Sequence, residues 1–510
     1  MESVNKGYGK IGTGWNDIKE CYVKQNGLWV KHPSVYVKRN DDWYKITFAQ
    51  LPPGVICVSP FGSGDGMGSN WSNAMSFVNF RVLARITPGN TYFLKKGCYA
   101  IDANIPTTGD FENYIYKGTP KCLSGGYPTS EYYDRTVKLP PNTSIYGGFE
   151  GNDAEPMKRY GMFDGIENRT LFFMQKRTYG IGNLFTILKN NSDMSSNFIT
   201  LDNIDIRIYT GTSQLIGIRY INDDGEHPTS DASGLHITLS RITSNCAINC
   251  LSLQQVMPEG EGVLPNRCSV TFDSCMIHST NESMLGSLSY TSINASLITK
   301  NCMFIGYPNY AGNGGGLFGY SRINVGHLDT IQVKHINDTV ICRKYDCSAH
   351  GNGGYYYTNP GTGQKDKRPD IINCIWVRMD PTNMANLLYK NGDYTARAGT
   401  YPNEYRDNYL NTLCFYPGTT SIGSPGNYNT LGLVYNRDIA DYASALTVTA
   451  FFSNDDYLVK IAGYSDAIVS PNGYAPGVSL GDCNASVPNF DITGYPRPSG
   501  VMTLGAWHYR

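Results

Sequence analysis

The sequence predicts an all-β solenoid, because one short phrase recurs six times along the middle of the chain. In each copy, two apolar residues are separated by one residue, and two polar residues and an Ile or Cys follow. Such alternation is typical of β-strands, and a repeat of this length indicates one coil of a solenoid. The copies are 199–204, 237–242, 270–275, 297–302, 331–336 and 370–374, with steps of 38, 33, 27, 34 and 38 residues between their last positions.

Length and composition limit the function. The chain has 510 residues, which is too long for one compact core unless that core extends in one dimension. Only 17% of residues are charged and the net charge is −1, so no basic stripe predicts a nucleic-acid partner. No apolar run approaches the roughly 18 residues of a membrane helix, and the N-terminus lacks the apolar core of a secretory signal. We expect no membrane span, no cofactor, and synthesis in a cytoplasm.

The 14 cysteines do not predict a metal site, because no Cys-x-x-Cys occurs. The closest pairs are Cys246/Cys250 and Cys342/Cys347. Cys275, Cys302 and Cys374 fall at the last position of the repeated phrase. Equivalent residues stack along a solenoid, so we expect these cysteines to be reduced and to pack in an interior row.

The first 48 residues form a separate unit with two predicted hairpins. Residues 22–31 and 36–45 are identical at six of ten positions, and each reads as strand, tight turn, strand. Two hairpins bury little surface alone, so we expect the aromatic residues to anchor the unit to a partner or to another copy of the chain. A self-contained four-stranded cap is the alternative. The anchoring candidates are Tyr22, Trp29, Tyr36 and Trp43, and residues 49–57 read as a linker.

The hairpin pattern Tyr-Val-Lys-x-Asn-Gly-x-Trp resembles an element found near the termini of tailed-phage virion proteins. A second resemblance has three ordered motifs: Phe61–Ala74, rich in glycine; Ser144–Gly151, followed by Lys158-Arg-Tyr160; and Asp491–Pro498, followed by Leu504–Ala506. These motifs are similar to pectate-lyase-like, right-handed parallel β-helix domains of polymorphic outer-membrane-type proteins and of phages of the same hosts. The final Trp507–Arg510 departs from that family's acidic ending.

The second resemblance implies a right-handed parallel β-helix over residues 58–510. Regular coils are expected at about 144–380, and an irregular C-terminal part at 381–510. Within that part, the apolar stretch Ala443–Ile461 suggests further strands or an inserted element.

Two sets of carboxylates are the candidates for chemistry. Asp202, Asp205 and Asp273 flank coil strands and could face outward in a row, as glycosidase carboxylates do. The segment 222–227 holds Asp223, Asp224 and Glu226 beside a histidine, and could bind Ca²⁺ or cleave a polysaccharide. Solvated loop charge is the alternative for both sets. Asp202, Asp223, Asp224 and Glu226 are therefore weak catalytic candidates, and no metal site is predicted.

Tyrosines are the better surface signal. Tyr355, Tyr356 and Tyr357 lie in one insertion and supply large contact areas with polar tips, which suits a glycan or receptor. Stacked aromatic ladders between coils are the alternative. The glycine-rich loop 312–316 lacks the Lys-Ser/Thr ending of a phosphate-binding loop, so we expect a solenoid loop there.

Together the two resemblances imply a structural component of a tailed phage of a Bacteroidales-type host. A tail, collar or head fibre would attach to the particle by its N-terminus and present the β-helix to host-surface glycans or a receptor. Phage β-helices are commonly homotrimers, so a homo-oligomer is expected. The alternatives are a tailspike depolymerase that cleaves surface polysaccharide, and a bacterial surface adhesin whose secretory signal is missing from this sequence.

Overall fold

The computed structural model describes the chain in separate stretches. Seven strands lie before residue 48, and a continuous stretch covers 51–100. The remaining described stretches are 137–174, 183–189, 197–208, 214–220, 232–244, 266–279, 285–288, 294–306, 318–320, 332–342, 370–378, 408–410, 412–416, 433–438, 446–450, 457–461, 488–492, 494–496 and 505–506.

Three antiparallel hairpins precede residue 48. The two predicted hairpins are confirmed, with Tyr22 paired to Lys31 and Tyr36 paired to Lys45. A third hairpin was not predicted, because its glycines weaken the alternation that marks a strand. The two predicted hairpins lie in separate sheets, and the self-contained cap stays an alternative prediction. The strands are Ser3–Val4, Gly7–Ile11, Gly14–Ile18, Cys21–Gln25, Leu28–His32, Ser34–Arg39 and Asp42–Thr47.

Two long parallel sheets form the solenoid. We name the eleven-stranded sheet the first sheet and the ten-stranded sheet the second sheet. In spatial order the first sheet contains Met75–Ser76, Val55–Ser59, Thr91–Lys95, Thr143–Phe149, Asn197–Asp202, Leu235–Ser240, Cys268–Asp273, Ala295–Lys300, Gln332–Ile336, Asp370–Ile372 and Asn408–Leu410. The second sheet contains Gly97–Ala100, Thr170–Met174, Asp205–Ile208, Thr243–Ser244, Met276–Ser279, Met303–Gly306, Thr339–Cys342, Ile375–Arg378, Thr412–Tyr416 and Leu433–Asp438.

The fold is a right-handed parallel β-helix, as expected. Each coil places one strand in the first sheet and, after a short corner, one strand in the second. A smaller parallel sheet holds Val137–Leu139, Asn183–Lys189 and Gln214–Tyr220, and Leu285–Leu288 pairs in parallel with Phe318–Tyr320. The predicted strands near the C-terminus are present as an antiparallel pair, Leu446–Ala450 with Tyr457–Ile461.

The corner between the two sheets explains the polar part of the repeated phrase. In six successive coils one corner residue has a positive φ, between 52° and 58°. Asparagine tolerates this left-handed conformation better than most residues. In the first five of these corners the N–H donates to the next coil, as from Ser274 N to Lys300 O at 3.0 Å and from Asn301 N to Ile336 O at 2.8 Å. The six residues are Asn203, Arg241, Ser274, Asn301, Asn337 and Asn373.

The positions of the corners show that one copy of the repeat was predicted at the wrong residues. The fifth copy was predicted to end at Ile336, but Ile336 pairs with Lys300 and Thr339 pairs with Met303. Asp338 therefore occupies the position of Cys302, and the copy is shifted by two residues. The steps from Cys302 to Asp338 and from Asp338 to Cys374 are both 36 residues. The prediction was wrong because an aspartate stands where the other copies have Ile or Cys.

An α-helix, Phe77–Ile86, lies at the N-terminal end of the solenoid core. The Ser76 hydroxyl accepts a hydrogen bond from Asn79 N at 3.2 Å, which satisfies one N–H of the first turn. The helix contributes buried Phe77, Phe80 and Ala84 to the core. Terminal coils of a solenoid need such a cover, because their apolar interior would otherwise face water.

The first two sequence motifs pack against each other outside the first sheet. Trp71 and Phe149 have ring centroids 5.6 Å apart, and Trp71 Nε1 donates to Pro156 O at 3.0 Å. The Asp153 carboxylate accepts from Trp71 N at 2.7 Å and from Ser72 N at 2.9 Å. Gly148 is required here, because its φ is +84° and a Cβ would lie 2.2 Å from Asn203 Nδ2. The glycines of these motifs thus permit close packing.

The third sequence motif packs against the corners near Asn337 and Asn373. Gly505 N donates to Asn373 O at 2.8 Å, and Ala506 N donates to Thr339 Oγ1 at 2.9 Å. Ile492 N donates to Ala506 O at 2.8 Å. The closing motif therefore contacts coils that precede the last described strands of both sheets.

Candidate functional site

Asp202, the first catalytic candidate, lies in a buried ion-pair network. Its side chain is 6% exposed. Arg159 Nη1 lies 2.8 Å from Oδ2, and Arg241 Nε donates to Oδ1 at 2.8 Å. Burial lowers the pKa of Arg159, and the Asp202 carboxylate opposes that shift. Both carboxylate oxygens are therefore engaged by guanidinium groups, which suits a structural tie better than proton transfer.

The other two carboxylates of the predicted row also have partners. Asp205 is buried in the second sheet, where Arg169 Nη1 lies 2.7 Å from Oδ2 and the Thr243 hydroxyl donates to Oδ1 at 2.7 Å. Asp273 lies 2.7 Å from Lys300 Nζ and is partly exposed. Asp205 is thus absent from the outward row that the sequence suggested.

Asp202 and Asp273 do share one column of the first sheet. Asp202 pairs with Ser240, and Ser240 pairs with Asp273. With about 4.8 Å between coils, their Cα atoms are about 10 Å apart. With Arg159, Arg241 and Lys300 they form a column of alternating charges, which we name the charge ladder. In Arg241, burial lowers the pKa, but the hydrogen bond and charge of Asp202 outweigh it, so the net shift is upward.

The outward side chains of the first sheet are mostly polar over three strands, Asn197–Asp202, Leu235–Ser240 and Cys268–Asp273, and Ile298 follows Thr271 on the next strand. Burial alternates along Leu235–Ser240 and Cys268–Asp273, so every second residue points outward. Phe198 is 56% exposed, and its ring stacks on His236 with centroids 5.2 Å apart. His236 Nδ1 lies 2.7 Å from Ser269 Oγ. We name this surface the hydroxyl face, defined by Phe198, Thr200, His236, Thr238, Ser269 and Thr271.

A third cluster surrounds Glu150, close to the second sequence motif. Lys96 Nζ lies 3.1 Å from Glu150 Oε2 and 3.1 Å from Asn168 Oδ1. The Tyr160 hydroxyl also donates to Glu150, and Lys96 Nζ lies 4.7 Å from the centroid of the Tyr160 ring. The pKa of Glu150 is lowered, mainly by the Tyr160 hydrogen bond. The cluster ties the motif to the preceding coil.

A buried polar cluster inside the solenoid was missed by the sequence analysis. His335 and Asp338 are fully buried, with His335 Nδ1 2.7 Å from Thr299 Oγ1 and 3.6 Å from Asp338 Oδ2. Asp338 also accepts from the Thr299 hydroxyl, and from Cys302 N at 2.8 Å. Burial raises the pKa of Asp338. The sequence signal that could have revealed this cluster was Asn337. It occupies the left-handed corner position one residue before Asp338.

The predicted cysteine row is confirmed. Cys275, Cys302 and Cys374 are thiols outside any disulfide bond and are fully buried. Cys275 N donates to Cys302 Sγ at 3.4 Å, across one coil step. Burial raises the pKa of Cys302 well above its ordinary value, which keeps the thiol protonated.

Several predicted site residues lie outside the described part of the structure. Only the strands that carry the anchoring residues are described, without the side chains of Tyr22, Trp29, Tyr36 and Trp43. The loop candidates outside the described residues are Asp223, Asp224, Glu226, Tyr355, Tyr356, Tyr357 and the glycine-rich 312–316.

Two properties can be stated for the residues that the structure describes. They contain no group of three or more His, Cys, Asp and Glu side chains arranged to hold a metal ion. The helix found among them is neither long enough nor apolar enough to cross a membrane.

Comparison with known proteins gives a likeness in structure and none in sequence. No protein-family model matches the chain, and no curated protein sequence matches it. A solved structure titled "Crystal structure of pectate lyase Pel9A" is similar over 89% of this chain and 96% of that one. The identity between the two is 12% and the TM-score is 0.33. The β-helix described above rests on its own strand pairing.

Proposed function

We propose that this protein is a structural virion component of a tailed bacteriophage, a tail, collar or head fibre, that binds glycans or a receptor on a Bacteroidales-type host. The tandem hairpins would attach it to the particle, and the β-helix would present a rigid surface to the cell. Homotrimers are the proposed assembly, made in the host cytoplasm. Two features support the proposal: the phage-like hairpin pattern at the N-terminus and the long parallel β-helix behind it.

The observation that carries the binding role is the outer surface of the first sheet. Along the strands 197–202, 235–240 and 268–273 most outward side chains carry hydroxyls, with one exposed aromatic ring, while Asp202 and Asp273 are engaged in ion pairs. Hydroxyl groups and an aromatic ring suit sugar binding. Engaged carboxylates favour binding over cleavage, because a general acid needs an oxygen free to exchange its proton.

A depolymerase is the second candidate, favoured by one observation. Asp202 and Asp273 share a column at about 10 Å, close to the roughly 6.5–9.5 Å separation of the carboxyl groups in inverting glycosidases. Reducing-end and unsaturated-uronate assays on host capsule would separate the two functions. Cleavage by the wild type that disappears in Asp224→Ala, or in Asp202→Asn under conditions where that variant stays folded, would establish the enzyme, whereas binding without product supports the fibre.

Deletion of residues 1–48 tests the anchor. The truncated chain is expected to keep its β-sheet circular dichroism and its binding to host cells, while it fails to enter particles in a complementation assay. A full-length variant with Trp29→Ala and Trp43→Ala should show the same loss of incorporation. Particles that carry normal amounts of the truncated chain would contradict the anchoring role.

A further inference from the structure

We propose that Lys96 and Asn168 form an intramolecular isopeptide bond, with Glu150 as the base that carries protons during the reaction. The proposal goes beyond the fibre function and does not rest on it, because it assigns a covalent modification to the chain itself. It follows from the positions of three side chains, from the backbone that holds them, and from the chemistry of an amine beside an amide.

The amine of Lys96 contacts both of the groups that the reaction needs. Its Nζ lies 3.1 Å from Asn168 Oδ1 and 3.1 Å from Glu150 Oε2. A C=O bond is about 1.2 Å long, so Nζ lies at most about 4.3 Å from Cγ of Asn168, the carbon that the amine would attack. Reacting atoms in a productive arrangement are about 3–3.5 Å apart, so a small rotation of either side chain completes the approach.

The backbone holds the amine and the amide side by side. Lys96 N donates to Phe149 O at 2.7 Å, which fixes the lysine against the strand of the next coil. Gly97 N donates to Arg169 O at 2.8 Å, so the residue after Lys96 is bound to the residue after Asn168. The strands that follow are register partners in the second sheet. Because folding has already brought the two groups together, the reaction gains the high effective concentration of an intramolecular step.

The amide of Asn168 presents its carbonyl group to the amine and its nitrogen to the solvent side. Nδ2 donates to Asp164 O at 2.9 Å and to Glu167 Oε1 at 3.3 Å, while Oδ1 accepts from Lys96. Asp164 and Glu167 are both exposed. The nitrogen that must leave therefore points away from the attacking amine, and ammonia has a short path to water.

Glu150 is suited to accept the proton that the amine must lose. The Tyr160 hydroxyl donates to it, and this hydrogen bond is the main cause of the lowered pKa of Glu150, so the carboxylate is ionised at neutral pH. The Tyr160 ring also covers the amine, with Lys96 Nζ 4.7 Å from the ring centroid. The side chains of Lys96 and Glu150 are only 25% and 26% exposed, which limits the access of water, the competing nucleophile.

The reaction balances without any other reagent. The Lys96 ammonium gives one proton to the Glu150 carboxylate, and the free amine attacks Cγ of Asn168. The tetrahedral intermediate collapses: the new C–N bond to Lys96 is kept and the bond from Cγ to Nδ2 breaks. The proton held by Glu150 and one further proton from the attacking amine pass to the departing nitrogen, which leaves as ammonium. The chain therefore loses the elements of ammonia and one positive charge.

Mass spectrometry of the full chain tests the proposal. The wild-type chain, denatured before the measurement, should be lighter than its sequence mass by one ammonia, about 17 Da. Denaturation breaks an ion pair but not an amide, so the loss reports the covalent bond alone. Trypsin should fail to cleave after Lys96, and fragmentation should identify one branched peptide that contains both Lys96 and Asn168.

Lys96→Arg and Lys158→Arg are matched variants, since each keeps a positive charge beside the Tyr160 ring. A protonated guanidinium is not a nucleophile, so Lys96→Arg should keep the full sequence mass, whereas Lys158→Arg should lose ammonia as the wild type does. Lys96→Arg should also unfold at a lower temperature than Lys158→Arg, because it lacks a cross-link that constrains the unfolded chain. Glu150→Gln keeps both reacting groups, and its rate of modification should fall at least about tenfold.

Three outcomes would overturn the proposal. A folded wild-type chain that keeps its full sequence mass after prolonged incubation would show that Lys96 forms an ion pair and nothing more, and this result depends on no variant. A loss of ammonia that persists in Lys96→Arg would point to cyclisation of an asparagine, which removes the same mass. Equal rates of modification in Glu150→Gln and the wild type, with circular dichroism showing both folded, would contradict the role of Glu150.

Discussion

The N-terminal end of the solenoid core and a region four to five coils further along contain different kinds of side chain. At the N-terminal end, aromatic rings fill the interior: Phe172 lies 5.4 Å from Tyr99, 5.8 Å from Phe77 and 5.3 Å from Phe185, measured between ring centroids. Four coils further along the interior holds Thr299, and five coils along it holds His335 and Asp338, beside apolar residues such as Val333 and Val340. The N-terminal end is stabilised by apolar area and shape, whereas the later region also depends on hydrogen bonds that must all be made.

The difference teaches that a solenoid tolerates polar residues inside when neighbouring coils satisfy them. In the column of Thr299, the two preceding coils carry the apolar residues Phe272 and Leu239. In the column of Asp338, earlier coils carry the apolar residues Cys275 and Ile242. The polar cluster replaces them without loss of register, because Asp338 accepts from Cys302 N and from the Thr299 hydroxyl. Stability in such an array is a sum of local terms, so each region can be tested separately.

The largest effect is expected from Phe172→Ala, which empties the centre of the aromatic region at the N-terminal end. Truncation of a buried phenylalanine costs about 3–5 kcal/mol through lost transfer energy and a residual cavity. Hydrogen–deuterium exchange should show faster exchange in 91–100 and 170–174, with little change in 332–342. Faster exchange along the whole solenoid would show that the two regions unfold as one unit.

Asp338→Ala should cost about 3 kcal/mol, because it leaves His335, the Thr299 hydroxyl and the Cys302 N–H with fewer partners in a dry interior. The expected readout is faster exchange confined to 294–306 and 332–342. The matched control replaces the whole cluster with the apolar residues of other coils, Thr299→Val, His335→Leu and Asp338→Ile. That variant should be as stable as the wild type or more so, since its interior holds no unsatisfied polar group.

The same cluster predicts a dependence of stability on acidic pH. Burial raises the folded-state pKa of Asp338 above its ordinary value of 3.8. The protonated acid is therefore favoured in the folded state, and its contribution is complete below pH 3.8 and is lost as pH rises through the folded pKa. His335 and Cys302 face the carboxyl group and are titratable. Exchange in 332–342 should accelerate with rising pH beyond the intrinsic rate in the wild type, but not in Asp338→Asn.

Sequence patterns predicted the aromatic and apolar parts of this fold better than the polar ones. The first four copies of the phrase, the sixth copy and the cysteine row are confirmed by register, because alternating apolar residues report directly on which side faces the core. The fifth copy failed at Asp338, since hydropathy assigns an aspartate to the surface. The exposure of Phe198 was not predicted either. A single apolar residue at an outward position does not alter the alternating pattern enough to be noticed.

The candidate site was harder to predict, because side-chain partners come from other coils. Nothing local to Asp202 shows that Arg159 and Arg241 engage it, since these residues lie 43 and 39 positions away. The sequence did predict that Asp202 and Asp273 could share a row. It also placed Asp205 in that row, whereas the corner at Asn203 turns Asp205 into the second sheet.

Asp202→Asn tests the buried part of the charge ladder, which lies between the aromatic region and the polar cluster. The change leaves the largely buried Arg159 guanidinium without its carboxylate, and we expect a loss of about 1–3 kcal/mol. Denaturation with urea, followed by exchange in 143–174 and 235–244, is the measurement. A loss of the same size in 0.5 M salt would confirm that the pair is protected from screening, whereas a loss that disappears with salt would contradict its burial.

The smallest effect is expected from Asp273→Asn, two coils further along the same column. The side chains of Asp273 and Lys300 are 34% and 40% exposed, so water already screens the pair and its loss should cost about 0–1 kcal/mol. The substitution preserves size, so packing is unchanged, and residual destabilisation should vanish at 0.5 M salt. If Asp273→Asn proves as costly as Asp202→Asn, then the column acts as one coupled network, and the double variant should lose less than the sum of the two single losses. Additive and unequal losses would instead show that burial, and not charge, sets the strength of each rung.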